Sequence, residues 1–142
     1  MNGAHLIAEM FAYYKTRGIS LITKLNDLFS TYGYYLNTLH SFTFEGASGF
    51  TKMQEIMKEF HKGLDRIGGL KVERTEDYSK GLNGLPKSDV LKYLMEGNCS
   101  VVVRPSGTEP KLKTYISVYA ENKEKAEKKE KDIAALLAEF MR

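Results

Sequence analysis

Ser100-Val101-Val102-Val103-Arg104-Pro105-Ser106-Gly107-Thr108-Glu109-Pro110-Lys111-Leu112-Lys113-Thr114-Tyr115-Ile116-Ser117-Val118-Tyr119-Ala120 is the stretch on which the reading of this chain turns. Its first arm, 100–104, is a strand by the density of β-branched residues. Its last arm, 113–120, alternates Tyr115, Ser117 and Tyr119 with Ile116, Val118 and Ala120, the period of a half-buried strand. Between them lies a connection longer than the two to five residues of a plain hairpin and rich in hydrogen-bond donors. Ser106 and Thr108 bring hydroxyls, and Gly107 is expected to let the backbone turn with positive φ and bring its N–H close to a ligand. Arg104 and Lys113 place cations at the base, and Lys111 adds a third, against one acid, Glu109. Hydroxyls, cations and successive backbone N–H groups make an anion nest. Arg supplies a bidentate fork for phosphate oxygens and Lys a point charge. Pro105 and Pro110 stiffen both arms. The bland alternative is a structural hairpin with a chance Ser-Gly-Thr. A Walker A loop is excluded, because its glycine spacing and following helix are missing.

Outward from this segment the pattern is mixed. Glu121 onward reads as a helix with Ala126, Ile133, Leu136, Leu137 and Phe140 on its inner side and Asn122 as N-cap. Glu121–Lys125, Glu124–Lys128 and Glu127–Lys131 stand four apart, acid first. That helix's first stretch, 121–132, holds five lysines and five acids, so it is a neutral solvated face. On the other side, Asp89–Met95 fits a helical turn or a strand, and the turn signal Glu96-Gly97-Asn98 favours the strand. Residues 77–88 are loop by composition, and 70–74 a short strand. Phe50, Met53, Ile56, Met57 and Phe60 form the stripe of a helix that Ser48 can cap and Gly63 ends. Leu36, Thr38, His40, Phe42 and Phe44 share one face of a strand over 34–44. Two helices come first, 4–17 and 21–32, joined by Gly18-Ile19, with Ser20 as N-cap and Gly33 as stop. Leu6, Ile7, Met10, Phe11 and Tyr14 of the first and Leu21, Ile22, Leu25, Leu28, Phe29 and Tyr32 of the second need a partner surface, since a hairpin that small cannot bury both faces alone. The order from residue 34 is strand, helix, four strands, helix: an α+β domain preceded by a helical hairpin.

Length and composition set the frame. The 142 residues allow one domain with a real core. The net charge of +3 is too small to read as a nucleic-acid or membrane footprint. One cysteine, Cys99, rules out an intrachain disulfide and reads as inert. His5, His40 and His61 are scattered without metal-ligand spacing. No apolar run reaches the roughly 18 residues of a membrane span. With no basic leader before the helix at residue 4, the expected compartment is the cytoplasm. The abrupt helical start suggests a piece of something longer.

Arg104-Pro105-Ser106-Gly107-Thr108-Glu109-Pro110-Lys111 resembles the C-terminal phosphate-binding loop of the phosphohexomutases, the phosphoglucomutase and phosphomannomutase family. The flanking Val101–Val103 and Tyr115–Tyr119 and the Lys/Glu-rich last helix agree with it. Glu9–Lys15, Leu25–Leu28 and Tyr32–Tyr35 are similar to the end of that family's third domain. Asp77-Tyr78 and Leu85–Leu91 look more like members of the phosphoglucose type. The resemblance implies a TATA-box-binding-protein-like arrangement, an antiparallel sheet with helices on one face. It implies that residues 1–36 are the remnant of the third domain and 37–142 the C-terminal phosphate-binding domain.

By the same resemblance, Arg104, Ser106, Gly107, Thr108, Lys111 and Lys113 would hold the non-transferred phosphate of a hexose phosphate, with Lys113 where many members have Arg. Family members interconvert hexose 1-phosphate and 6-phosphate with a phosphoserine in the first domain, magnesium on an aspartate loop in the second and a sugar-reading loop in the third. None of those motifs is in this sequence. The expectation is therefore a fragment inactive alone, with no catalytic serine and no metal site, and magnesium belonging to the whole enzyme. Its expected partners are a phosphosugar and the enzyme's other domains, with self-association through helices 4–32. A nucleic-acid-binding module or a protein-interaction module is the alternative.

Overall fold

The computed structural model describes residues 2–82 and 84–142; Met1 and Asn83, within the expected start and the expected 77–88 loop, lie outside the described residues. The chain divides into two compact units, 1–34 and 35–142. In the first, α1 (Asn2–Lys15) and α2 (Leu21–Tyr32) form where the apolar spacing places them. Ser20 caps α2, its hydroxyl accepting from the Thr23 N–H at 3.0 Å, and Gly33 ends it at φ +88°. Neither helix buries a residue. Leu6, Ile7, Met10, Phe11, Ile22 and Leu25 stand exposed, while Tyr14, Leu21 and Phe29 are half-buried, so much of both apolar stripes is uncovered among the described residues.

The second unit is one six-stranded sheet with two helices. After β1 (Tyr34–Thr43) and α3 (Gly49–His61) come β2 (Arg66–Ile67), β3 (Leu70–Asp77), β4 (Leu91–Met95), β5 (Cys99–Pro105), β6 (Lys111–Ala120) and α4 (Lys123–Phe140). The sheet order is β1-β6-β5-β4-β3-β2. Strands β2 to β6 pair antiparallel in sequence order. Tyr35 lies against Tyr119, Asn37 against Ser117, and Phe44 bonds Pro110, so β1 also runs opposite to β6.

Alternation decides which face is inside. Leu91, Tyr93 and Met95 of β4, Cys99, Val101 and Val103 of β5, and Leu112, Thr114, Ile116 and Val118 of β6 are all buried. They share one face because the register pairs Leu91 with Val103 and Val103 with Thr114. Both helices lie on it. The α3 residue Phe60 touches Tyr93 and, at 4.5 Å between ring centroids, Phe140 of α4. The Tyr93 hydroxyl donates to the Phe60 carbonyl at 2.6 Å. From β1, Thr38 and His40 meet Glu130 of α4 at 2.8 and 2.7 Å, as the shared face of Leu36, Thr38 and His40 requires.

Several local expectations change. Ser48 sits before α3 in helical conformation and its side chain makes no capping bond. The helix start is instead held by backbone contact: Gly49 lies against the Phe44 carbonyl. A two-residue strand, β2, is added where Gly68-Gly69 reverses the chain onto β3. Strand β3 continues past residue 74 to Asp77, so residues 75–77 pair with β4 and the expected loop loses Asp77. The 96–98 turn forms with Gly97 and Asn98 at φ +70° and +56°. Asn122 does cap α4, accepting from the Lys125 N–H at 2.9 Å. Of the three anticipated acid-first pairs on α4, only Glu121–Lys125 forms among the described residues; Lys123–Glu127 at 3.7 Å appears in the opposite order. No helix of the described residues is long and apolar enough to cross a membrane.

Gly68 is constrained twice. Its φ is +56°, and a Cβ there would stand 2.6 Å from the Ile133 backbone nitrogen of α4. Gly68→Ala should cost about 2–4 kcal/mol, combining left-handed strain with overpacking, read by chemical denaturation; a loss near zero would show that the β2–β3 turn does not seat on α4. Tyr93 gives a pH signature. Burial, and less so the charge of Asp77, pushes its hydroxyl up to about 12. An unfolded tyrosine ionises near 10, so the folded state resists losing this proton. The stabilisation is complete below about pH 10 and is lost as pH rises through about 12. Tyr93→Phe should lose about 1–2 kcal/mol at neutral pH, and the gap to wild type should narrow across that alkaline window.

Candidate anion-binding site

The segment that opened the sequence reading forms the turn between β5 and β6. Both strands run further than their apolar runs suggested. Pro105 pairs with Leu112 and Arg104 with Lys113. The open loop is therefore Ser106–Pro110, within the length of an ordinary hairpin, which corrects the expectation of a longer one. Arg104 and Lys113 stand directly opposite each other. Their neighbours Val103 and Leu112 point inward, so both cations belong to the sheet face away from the helices. Neither makes an ion pair among the described residues. Like charges directly opposite on paired strands repel, and a bound anion would reverse that sign.

The loop's backbone divides its donors. Ser106 N–H donates to the Lys111 carbonyl at 2.8 Å, and Lys111 N–H to the Glu109 carbonyl at 2.8 Å. The N–H groups of Gly107, Thr108 and Glu109 donate to no backbone acceptor among the described residues. Gly107 does not take the positive φ expected of it, and the amides of Gly107, Thr108 and Glu109, not that of Ser106, are the backbone donors the loop leaves for a ligand. Gly107 and Thr108 are exposed and Ser106 is half-buried. Lys111 is drawn back onto Glu109 at 3.0 Å, which partly neutralises it. The structure gathers Arg104, Lys113, Thr108 and the 107–109 amides at one end of the sheet, with Lys111 tied within the loop.

Sequence reasoning passed over His61. It stands at the end of α3 with Nδ1 3.3 Å from Asp77 and Nε2 3.1 Å from Asp89. It can donate to both carboxylates only when both ring nitrogens carry a proton. Burial pushes the Asp77 carboxyl up, but hydrogen bonds from Ser79 and the nearby His61 outweigh it and leave it below the ordinary value. This cluster borders a groove of 580 Å³ whose other wall includes Pro105, Ser106 and Gly107. The signal was there only in part: Asp77 is sixteen residues from His61 and Asp89 is 28, and such separations say nothing of contact until the chain is folded. Cys99 is buried and free. No group of three His, Cys, Asp or Glu side chains among the described residues fits a metal ion.

With this geometry in hand, known proteins supply the context. Residues 47–139, from the α3 corner through the loop to α4, match the family described as phosphoglucomutase/phosphomannomutase, C-terminal domain. A phosphoglucomutase of Staphylococcus saprophyticus is 34% identical over 117 residues, covering 74% of this chain and 21% of that protein. One of Staphylococcus epidermidis is 36% identical over 126 residues, covering 80% and 23%. The open form of the exocytosis-sensitive phosphoprotein pp63/parafusin, a phosphoglucomutase of Paramecium, superposes with a TM-score of 0.54 at 15% identity over 86% of this chain and 22% of that one. At that identity the likeness speaks for the fold. The chain spans between a fifth and a quarter of the length of the curated relatives it matches. The match takes in both strands and the loop that pairs Arg104 with Lys113, and the chain belongs to the phosphoglucomutase/phosphomannomutase C-terminal domain family.

Proposed function

We propose that this chain is the substrate-phosphate-binding domain of a phosphoglucomutase-type isomerase that interconverts hexose 1-phosphate and hexose 6-phosphate in the cytoplasm. Residues 37–142 hold the phosphate and residues 1–36 are the end of the third domain. The observation that carries the reading is the cross-strand pair Arg104–Lys113, two cations with no ion pair among the described residues, beside three N–H groups with no backbone acceptor among them. Arg104 grips two phosphate oxygens, and Ser106 and Thr108 add hydroxyls. The amides of Gly107 to Glu109 close around a third oxygen. Lys113 gives a point charge, and Lys111 strengthens the field to the extent that Glu109 leaves it.

The work done here is positioning. Phosphoryl transfer depends on alignment and charge stabilisation more than on covalent help, and binding energy from a remote phosphate orients the reacting end. A clamp that reads only phosphate serves the substrate in both orientations, whichever end carries the transferable group. No residue of this chain is catalytic in that scheme: the phosphoserine and the magnesium it needs belong to other domains. Those domains are the partners, and the exposed apolar stripes of α1 and α2 suit a cover by the rest of domain three or, in the isolated chain, by a second copy.

Amide-shift titration of the chain with glucose 1-phosphate tests this. Signals of Gly107, Thr108 and Glu109 should move on one isotherm. Arg104→Ala should weaken binding by about 10- to 100-fold, the worth of a charged hydrogen-bond donor. Binding that survives Arg104→Ala unchanged, or shifts confined to residues far from the loop, would remove the assignment.

A further inference from the structure

The phosphate loop is not free-standing. Its last residue, Pro110, accepts a 2.9 Å hydrogen bond from the Phe44 N–H at the corner between β1 and α3. Phe44 is itself 7% exposed, so the corner is fixed in the core. Five residues on, Gly49 opens α3. A Cβ at Gly49 would stand 2.2 Å from the Phe44 oxygen, 3.0 Å from its carbonyl carbon and 3.3 Å from the Pro110 Cβ. Gly49 does not have positive φ, so the backbone would accept any residue, and glycine is needed only for space. Nothing at the first of those contacts can yield cheaply, because it is main chain on both sides.

We propose that Gly49, with the Phe44 amide, is a positioning residue for phosphate recognition: the missing side chain lets the β1–α3 corner close onto Pro110 and set the 107–109 amides where a phosphate needs them. This rests on the phosphate-clamp reading and goes beyond it by naming what aims the clamp. A methyl at residue 49 must push the Phe44 carbonyl away by on the order of 1 Å. That displacement reaches Pro110 by two routes, through the Phe44 N–H to Pro110 carbonyl bond and through direct contact with the proline ring. Pro110 stands one residue from the nest and is too stiff to absorb the movement.

The test uses the isotopically labelled 142-residue chain and glucose 1-phosphate, with three proteins: wild type, Gly49→Ala and Gly68→Ala. Gly68→Ala is the control for lost stability, since its clash is with α4 and not with the loop. In wild type, the Phe44 amide should shift on the same isotherm as Gly107 and Thr108, and its hydrogen exchange should slow at saturation. Gly49→Ala should weaken binding by about five-fold or more, whereas Gly68→Ala should stay within about two-fold of wild type. The proposal is overturned if Gly49→Ala binds like Gly68→Ala, or if the Phe44 amide stays still while the loop amides move. If Gly49→Ala does not fold, the wild-type Phe44 readout decides alone. If wild type shows no loop shift at all, the clamp reading itself has failed and this inference falls with it.

Discussion

The register between β5 and β6 is the constraint on which everything else depends. Val101, Val103, Leu112 and Ile116 must all reach the core, and a slip by one residue would turn the whole set outward. That single requirement fixes Arg104 opposite Lys113 and sends both to the far face. The cations are thus placed by the burial of their neighbours, with no ion-pair partner among the described residues. Stability on one face of the sheet is spent as geometry on the other, and the electrostatic cost of two facing cations becomes a readiness to take an anion.

A hairpin tip would ordinarily be the most mobile part of such a sheet. Here its far end is tied to the start of α3 through Phe44 and Pro110, and its near end through the Ser106–Lys111 backbone bond. Between the ties, the Gly107, Thr108 and Glu109 N–H groups have no backbone acceptor among the described residues. A site that is stiff at both ends and open in the middle loses little entropy when a ligand orders it. This matters in a domain whose proposed part in catalysis is to orient a molecule that reacts elsewhere.

Much of this was legible in the sequence because it depends on local pattern. The β-branched run at 100–104, the period-two run at 113–120, the helical stripes of α3 and α4, the Ser20 and Asn122 caps and the Glu96–Asn98 turn each announce themselves within a few residues. So does the cluster of Arg, Ser, Gly, Thr and Lys between two strands. What sequence hid was contact between distant segments. Ser48 has the right chemistry for a cap, but its backbone stays helical, and Gly49 meets Phe44 instead. Strand β2 is two residues long and exists because β3 is there to pair with it. The loop looked longer than it is because Pro105 and Lys111 carry no strand signal, yet lie on strands that the inner face extends. Lys111 read as a free cation, and its partner Glu109 is too close in sequence for helix or strand spacing rules to pair them. His61 looked unremarkable until folding set it between Asp77 and Asp89.

The most direct test of the central claim is a crystal structure of the chain with glucose 1-phosphate bound. The phosphorus should lie at the tip of the β5–β6 turn, with its oxygens within hydrogen-bond distance of the Gly107, Thr108 and Glu109 amides and of the Arg104 guanidinium, and Lys113 facing it from across the strand. A phosphate seated in the groove beside His61 and away from Arg104, or density for the sugar phosphate anywhere but this loop, would contradict it.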